Sequence, residues 1–205
     1  MTAQRTDTVE LDGRPLALVG IDGNGPFEPT RHGLAPVMAS TANNRGCICR
    51  YTVTGSPPGR RKAGPRALHL LRLEVRLRIG WQHEVPLVPV VLGRRPASIE
   101  HAVPIDWSRP VDLVYTDLGL MPFTGALLLG DGFVSDLAVN MGFPAAWKFR
   151  RVVELLLEAG EVVELLDRSA EMAAIRARRN AEPPRRSGWI EEAFRLDYDR
   201  RRLFG

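Results

Sequence analysis

The longest regular pattern in the sequence is an alternation of apolar and charged residues that runs from Leu71 to Ile79. The charged positions are Arg72, Glu74, Arg76 and Arg78. Successive side chains of a β-strand point to opposite faces, whereas a helix would scatter these leucines around its circumference. The pattern therefore predicts a strand with one apolar face and one charged face. Leu68 and Leu70 have the opposite parity to Leu71, which predicts a β-bulge near Leu70.

Two earlier segments are also predicted to be strands. The dipeptide Asp12-Gly13 lies between two apolar runs, which predicts a β-hairpin over residues 8–22. A short strand is expected from Cys47 to Thr54. The basic stretch 55–65, rich in glycine and proline, connects that strand to the alternating one. We therefore expect these two strands to form a hairpin with a positively charged tip.

The character of the sequence changes after Pro144, because apolar residues then recur at the spacing of a helix. The first of them are Phe149, Val152, Val153 and Leu156. Gly160 is expected to divide this region into two helical pieces, since glycine destabilises a helix interior by about 1 kcal/mol. Strands that come first and helices that follow predict an α+β fold. An antiparallel or mixed sheet of residues 8–135 would be packed by C-terminal helices of residues 145–180.

Residues 1–180 are predicted to form a single domain, followed over 181–205 by a basic linker and an amphipathic C-terminal arm. The arm is expected to dock on this domain or on another subunit, because an exposed apolar face of this kind is unfavourable in water. The residues predicted to make that contact are Trp189, Ile190, Phe194 and Leu196.

The formal net charge is +4, and the basic residues are concentrated in two zones. Residues 1–80 contain 12 basic and 6 acidic side chains, residues 168–205 contain 10 and 6, and residues 81–149 contain 4 and 7. Nearly all the basic residues are arginine, whose planar fork of donors suits phosphate and carboxylate groups. This distribution predicts a partner that is nucleic acid or an acidic protein surface.

The residues predicted to bind that partner lie on the charged strand face, in the basic loop and in the linker. They are Arg60, Arg61, Lys62, Arg72, Arg76, Arg78, Arg185 and Arg186. A second interpretation of the strand face remains open at this point. Arg72 and Arg76 could instead pair with acids of a neighbouring strand and form an ordinary solvated surface.

A catalytic alternative rests on two aspartates that follow apolar strands. Asp22 and Asp117 each end such a run and are followed closely by glycine. On neighbouring strands, two carboxylates would meet and could bind Mg²⁺ for nuclease-like phosphoryl transfer. The simpler interpretation is that both aspartates begin turns, which aspartate followed by glycine favours.

The chain is predicted to be cytoplasmic and to have no membrane partner. Its polar start lacks the apolar core of a signal peptide, and no run reaches the roughly 18 apolar residues that span a bilayer. Cys47 and Cys49 are the only cysteines, and their spacing suits reduced thiols. We expect a non-catalytic binding or assembly protein, without metal or cofactor, that acts as a subunit of a larger complex.

Overall fold

The computed structural model describes residues 2–55, 65–79, 81–82, 85–100, 110–138, 141–181 and 195–204. The strands within these residues are β1 (Thr8–Leu11), β2 (Arg14–Asp22), β3 (Cys47–Thr54), β4 (Ala67–Leu77), β5 (Trp81–Gln82), β6 (Val85–Pro86), β7 (Ser98–Glu100), β8 (Val111–Leu120), β9 (Gly125–Phe133), β10 (Phe149–Glu158) and β11 (Glu161–Asp167). The helices are α1 (Ser169–Ala181) and α2 (Arg200–Phe204), with short 3-10 turns at Pro29–His32, Ser135–Leu137 and Ala146–Lys148. None of the helices in the described chain has the length and apolar character needed to cross a membrane.

Nine of the strands form one sheet, in the order β11-β10-β9-β2-β1-β3-β4-β8-β7. The neighbours are antiparallel except for β1 and β3, which run parallel, so the sheet is mixed. The sheet curls until β11 meets the beginning of β4, where Glu161 pairs with Ala67. β5 and β6 form a separate two-stranded pair. The protein is therefore broadly α+β and dominated by its sheet.

From Leu73 onward the alternation in β4 produces the two faces that the sequence predicts, but Leu71, predicted to lie on the apolar face, does not face the core. Leu73, Val75 and Leu77 are buried in the core enclosed by the curled sheet. The predicted bulge is also confirmed, because the pairing of β4 shifts register at Leu71 against both of its neighbours. Leu68 and Leu70 therefore return to the core, while Leu71 points outward and is 38% exposed. Because the bulge adds one residue to β4, the apolar residues before it and those after it both face the core.

The hairpin predicted over residues 8–22 is formed by β1 and β2. Asp12 and Gly13 both have positive φ angles, 53° and 76°, as a tight two-residue turn between twisted strands requires. The strand predicted from Cys47 to Thr54 is β3, and it pairs with β4 in antiparallel fashion. Residues 56–64 of the loop between β3 and β4 lie outside the described residues.

The helices predicted over residues 145–167 are wrong, because β10 and β11 occupy most of this region. Val153 and Leu155 face the main core, while Val152 on the other face packs in a second apolar cluster under α1. A strand buried on both faces has a continuous apolar run, which periodicity cannot distinguish from a helix. Gly160, with φ of 91°, belongs to the turn between the two strands. Of the predicted helical region, only residues 169–181 form an α-helix.

A C-terminal segment, residues 195–204, lies along the C-terminal end of β2, beyond the residues that pair with β1. The backbone N–H of Ile21 donates to the carbonyl oxygen of Leu196 at 2.7 Å, and the N–H of Tyr198 donates to the carbonyl oxygen of Ile21 at 3.0 Å. Tyr198 and Phe204 pack against the second apolar cluster beside α1. Of the residues predicted to dock the arm, Trp189, Ile190 and Phe194 lie outside the described residues.

A buried carboxylate joins α1 and the C-terminal segment to the sheet. Glu154 of β10 is fully buried, and its Oε2 accepts a hydrogen bond of 2.9 Å from Nε of Arg168. Its Oε1 accepts one of 3.1 Å from Nε of Arg200. The guanidinium of Arg168 also lies 4.1 Å from the ring centre of Phe204. The charge of Glu154 is thus compensated by residues that follow β11.

Candidate functional site

On the charged face of β4, Arg76 bonds to other parts of the fold and helps to hold them together. Nε of Arg76 lies 3.4 Å from Oδ1 of Asp112 on neighbouring β8. Its Nη1 donates a hydrogen bond of 2.8 Å to the carbonyl oxygen of Ala39. Pairing with an acid of the next strand, the second interpretation of this face, therefore applies to Arg76. Arg78 is exposed just beyond the end of the strand.

Arg72 has a different environment, because it lies directly opposite Arg50 of β3. Like charges directly across a pair of strands destabilise a sheet. Oε1 of Glu74 accepts from Nε of Arg72 at 2.8 Å and from Nη2 of Arg50 at 3.4 Å. The side chain of Arg50 is 54% exposed and that of Arg72 is 38% exposed. The carboxylate of Glu74 thus accepts hydrogen bonds from two guanidinium groups, and both of these groups remain accessible to solvent.

An open cleft of about 700 Å³ lies beside this pair, and Arg5, Arg50 and Arg72 all line it. We call it the arginine cleft. Its apolar lining comes from Pro15, Ile48, Leu71 and Pro144. Leu71 reaches the cleft because it is the bulge residue of β4, so the bulge places an aliphatic side chain beside the arginine pair.

Arg5 belongs to the segment that precedes β1, and its backbone is held in place on the loop before β3. The N–H of Arg5 donates to the carbonyl oxygen of Ala42 at 2.8 Å. Gln4 is buried, and its side chain donates to the carbonyl oxygen of Thr41 at 2.8 Å and accepts from the N–H of Asn44 at 3.1 Å. The side chain of Arg5 is exposed and forms no ion pair within the described part of the chain.

The charges at the cleft are unbalanced. Three guanidinium groups lie at its wall, and the nearby carboxylates are Glu10, which also lines it, and Glu74. Glu10 is exposed to solvent, where its interaction with the arginines is screened. The cleft can therefore bind a group with negative charge, and its aliphatic lining can contact an apolar group beside that charge.

The two thiols of β3 face away from the cleft, into the main core, and are free. Burial raises the pKa of Cys47 to about 11 and also raises the pKa of Cys49. Both residues are therefore thiols at neutral pH, whereas the thiolate is the form that attacks substrates or binds metals. Cys47 and Cys49 act here as small core residues.

Asp22 and Asp117 do not lie on neighbouring strands. β2 has β1 and β9 as neighbours, whereas β8 has β4 and β7. Oδ2 of Asp22 accepts a hydrogen bond of 3.1 Å from the N–H of Arg200. Asp117 is exposed and has a φ of 53° within an irregular part of β8. Among the described residues, no group of three or more histidine, cysteine or acidic side chains is arranged to hold a metal ion.

Several residues predicted to bind the partner lie outside the described ranges. They are Arg60, Arg61, Lys62, Arg185 and Arg186. Conversely, the sequence patterns did not single out Arg5 and Arg50. A signal existed for Arg50, since an arginine in the strand before β4 can lie opposite a charged residue of β4. Nothing local marks Arg5, because its place depends on the parallel pairing of β1 with β3.

Comparisons of this chain with models of protein families, with curated protein sequences and with solved structures find no match. The geometry of the cleft therefore supplies the argument for function.

Proposed function

We propose that this chain is a non-catalytic binding protein whose arginine cleft binds an acidic segment of a protein partner. The observation that carries the proposal is the cross-strand pair of Arg50 and Arg72. Opposite charges at these two positions would stabilise the sheet, whereas like charges destabilise it. In this chain both guanidinium groups share the carboxylate of Glu74, and a third guanidinium group, that of Arg5, lies at the wall of the same cleft.

The lining of the cleft favours a peptide over a nucleic acid. Sites for single-stranded nucleic acid stack bases on exposed aromatic rings. The aromatic residue in this lining, Tyr51, is only 2% exposed. Leu71, which is 38% exposed, instead offers aliphatic surface, and arginine binds carboxylates through bidentate hydrogen bonds. An extended segment in which acidic and apolar side chains alternate matches both features.

We also propose that the protein is a subunit of a larger cytoplasmic complex, and the support for this part comes from the sequence alone. The basic loop Arg60–Lys62 and the pair Arg185 and Arg186 would add positive charge for the acidic partner. The arm residues Trp189, Ile190 and Phe194 would contact another subunit, because apolar side chains of this size favour burial. Reduced cysteines, as in β3, are typical of cytoplasmic proteins.

The test is fluorescence anisotropy with two labelled probes, a peptide of alternating glutamate and leucine and an oligothymidylate. We expect the full chain to bind the peptide more tightly than the oligonucleotide, with affinity that falls as salt increases. The double variant Arg50→Gln, Arg72→Gln should weaken peptide binding about tenfold or more, since each lost charge-assisted hydrogen bond costs about 1.5–3 kcal/mol.

The matched control is Arg31→Gln, which removes an exposed arginine on the turn Pro29–His32, outside the cleft lining. Equal loss of binding in the control and the double variant would show that overall charge, not the cleft, is responsible. Tighter binding of the oligonucleotide would replace the protein partner with a nucleic acid. Peptide binding that is unchanged in the double variant would overturn the proposal.

A further inference from the structure

The turn before β10 carries a lysine whose side chain is buried. Lys148 ends the 3-10 turn Ala146–Lys148 and is 6% exposed. Buried charges in proteins are usually paired with an opposite charge. No carboxylate of the described residues forms an ion pair with Lys148. Burial and the nearby charge of Arg179 both lower the pKa of its ammonium group.

Two arginines of α1 approach the same turn. Nη2 of Arg176 donates a hydrogen bond of 3.0 Å to the carbonyl oxygen of Phe149, the residue after Lys148. Nε of Arg176 is buried and has no hydrogen-bond partner among the described residues. Arg179 lies three residues further along the helix, which places it on the same face.

The indole ring of Trp147 connects these cations. Nζ of Lys148 and the guanidinium carbon of Arg179 each lie 5.4 Å from the centre of that ring. A cation near an aromatic ring gains some stabilisation, but two cations on the same ring also repel each other. The arrangement brings positive charges together, and within the described part of the chain none of these three cations forms an ion pair with a carboxylate.

We infer that Lys148, Arg176 and Arg179 form a binding site for a phosphate dianion, with Trp147 as its wall. A dianion would relieve the repulsion between the cations, and it would accept hydrogen bonds from the ammonium group of Lys148 and from the arginine forks. The ligand is inorganic phosphate or a phosphate monoester. The site lies beside α1 and the start of β10, whereas the arginine cleft lies on β1, β3 and β4. A negative result for the phosphate site therefore does not affect the proposal for the arginine cleft, and the reverse also holds.

The chain contains only two lysines, Lys62 and Lys148, which makes a direct measurement practical. The full chain is labelled with ¹³C-lysine, and the two Cε resonances are followed by NMR during titration with inorganic phosphate. The variant Lys62→Arg assigns the signals. We expect the Lys148 resonance to shift in a saturable manner, while acetate at equal ionic strength shifts it much less. A parallel titration with phenyl phosphate distinguishes free phosphate from a monoester, because only a monoester site would gain affinity from the ring.

Two neighbouring arginines of α1 provide a matched pair of variants. Arg179→Gln should weaken phosphate binding about tenfold. Arg178→Gln removes an equal charge from the next residue of the helix, which has no contact with Trp147 among those described, and should leave binding nearly unchanged. Phosphate should also raise the melting temperature of the wild type by more than that of Arg179→Gln at the same concentration. A Lys148 resonance that does not move with phosphate, or equal losses in the two variants, would overturn the inference.

Discussion

The hydroxyl group of Tyr198 donates a hydrogen bond of 2.9 Å to Oε1 of Glu154, a residue that precedes it by 44 positions. Burial and the carboxylate of Glu154 both raise the pKa of Tyr198, so the tyrosine remains a donor under ordinary conditions. Arg168 and Arg200 hold the same carboxylate. The fully buried Glu154 therefore binds three side chains that lie beyond β11, and these bonds attach the last part of the chain to the sheet.

We predict that Glu154→Gln lowers the free energy of unfolding by about 3–5 kcal/mol, because Arg168 and Arg200 would both lose their bond to a buried charge, although Arg168 keeps its ion pair with Glu171. Urea denaturation followed by circular dichroism measures this loss. Glu158→Gln, an exposed change at the end of the same strand, should cost less than about 0.5 kcal/mol. Equal effects of the two substitutions would mean that Glu154 contributes only as a polar side chain.

The second prediction concerns the stability cost of the cross-strand arginine pair. Arg50→Gln should raise the free energy of unfolding by about 0.2–1 kcal/mol, because it removes a like charge opposite Arg72. Glu74→Gln should have the opposite effect, and its cost should shrink when Arg50→Gln is already present. A double-mutant cycle in urea measures this coupling. Additive effects would show that Glu74 does not offset the repulsion.

Alkaline pH should destabilise the protein partly through Tyr115, whose hydroxyl group donates a hydrogen bond of 2.8 Å to the carbonyl oxygen of Pro89. Burial raises the pKa of Tyr115 from 10.0 to about 12. A pKa that is higher in the folded state favours the protonated form there. The stability from this group is complete below pH 10 and is lost as the pH rises toward 12.

The measurement is the midpoint of urea denaturation between pH 8 and the alkaline limit of the native protein. Tyr115→Phe should reduce the loss of stability over the window that begins near pH 10. The other tyrosines and the cysteines titrate in both proteins, so the difference between them isolates Tyr115. Identical pH profiles would contradict the prediction.

Two glycines with similar backbone angles should respond differently to alanine. Gly46 has a φ of 71°, and an added Cβ would lie 2.1 Å from the carbonyl oxygen of Val37. Gly13 has a φ of 76°, and an added Cβ would meet no heavy atom within 4 Å. Gly13→Ala should cost about 1–2 kcal/mol for the left-handed backbone alone. Gly46→Ala must also move backbone and should cost clearly more; similar melting temperatures would contradict this prediction.

The parts of the fold that could be predicted from sequence are those whose signals are local. β4 and its bulge follow from a change of parity around Leu71, and the first hairpin follows from Asp12-Gly13. β10 could not be recognised, because it is buried by the core on one face and by α1 on the other, so its apolar residues do not alternate. That second layer depends on residues far along the chain.

The candidate site shows the same division. Arg72 is recognisable because it belongs to a regular charged face. Its position directly opposite Arg50 depends on the register between β3 and β4, and the bulge shifts that register by one residue. The site at Trp147 depends on α1 folding back over the turn before β10. Pairing across such distances is decided by the whole sheet, and no short stretch of sequence encodes it.

The bonds of Glu154 have a consequence during protein synthesis. The ribosome adds residues in order, so the carboxylate of β10 exists before Arg168 and long before Tyr198 and Arg200. β9 can pair with β10 once β10 has emerged, but the side chain of Glu154 then lacks both of its arginine partners. It must stay hydrated until the later residues arrive. The outer layer over β10 is therefore completed late in translation, whatever the speed at which the main core forms.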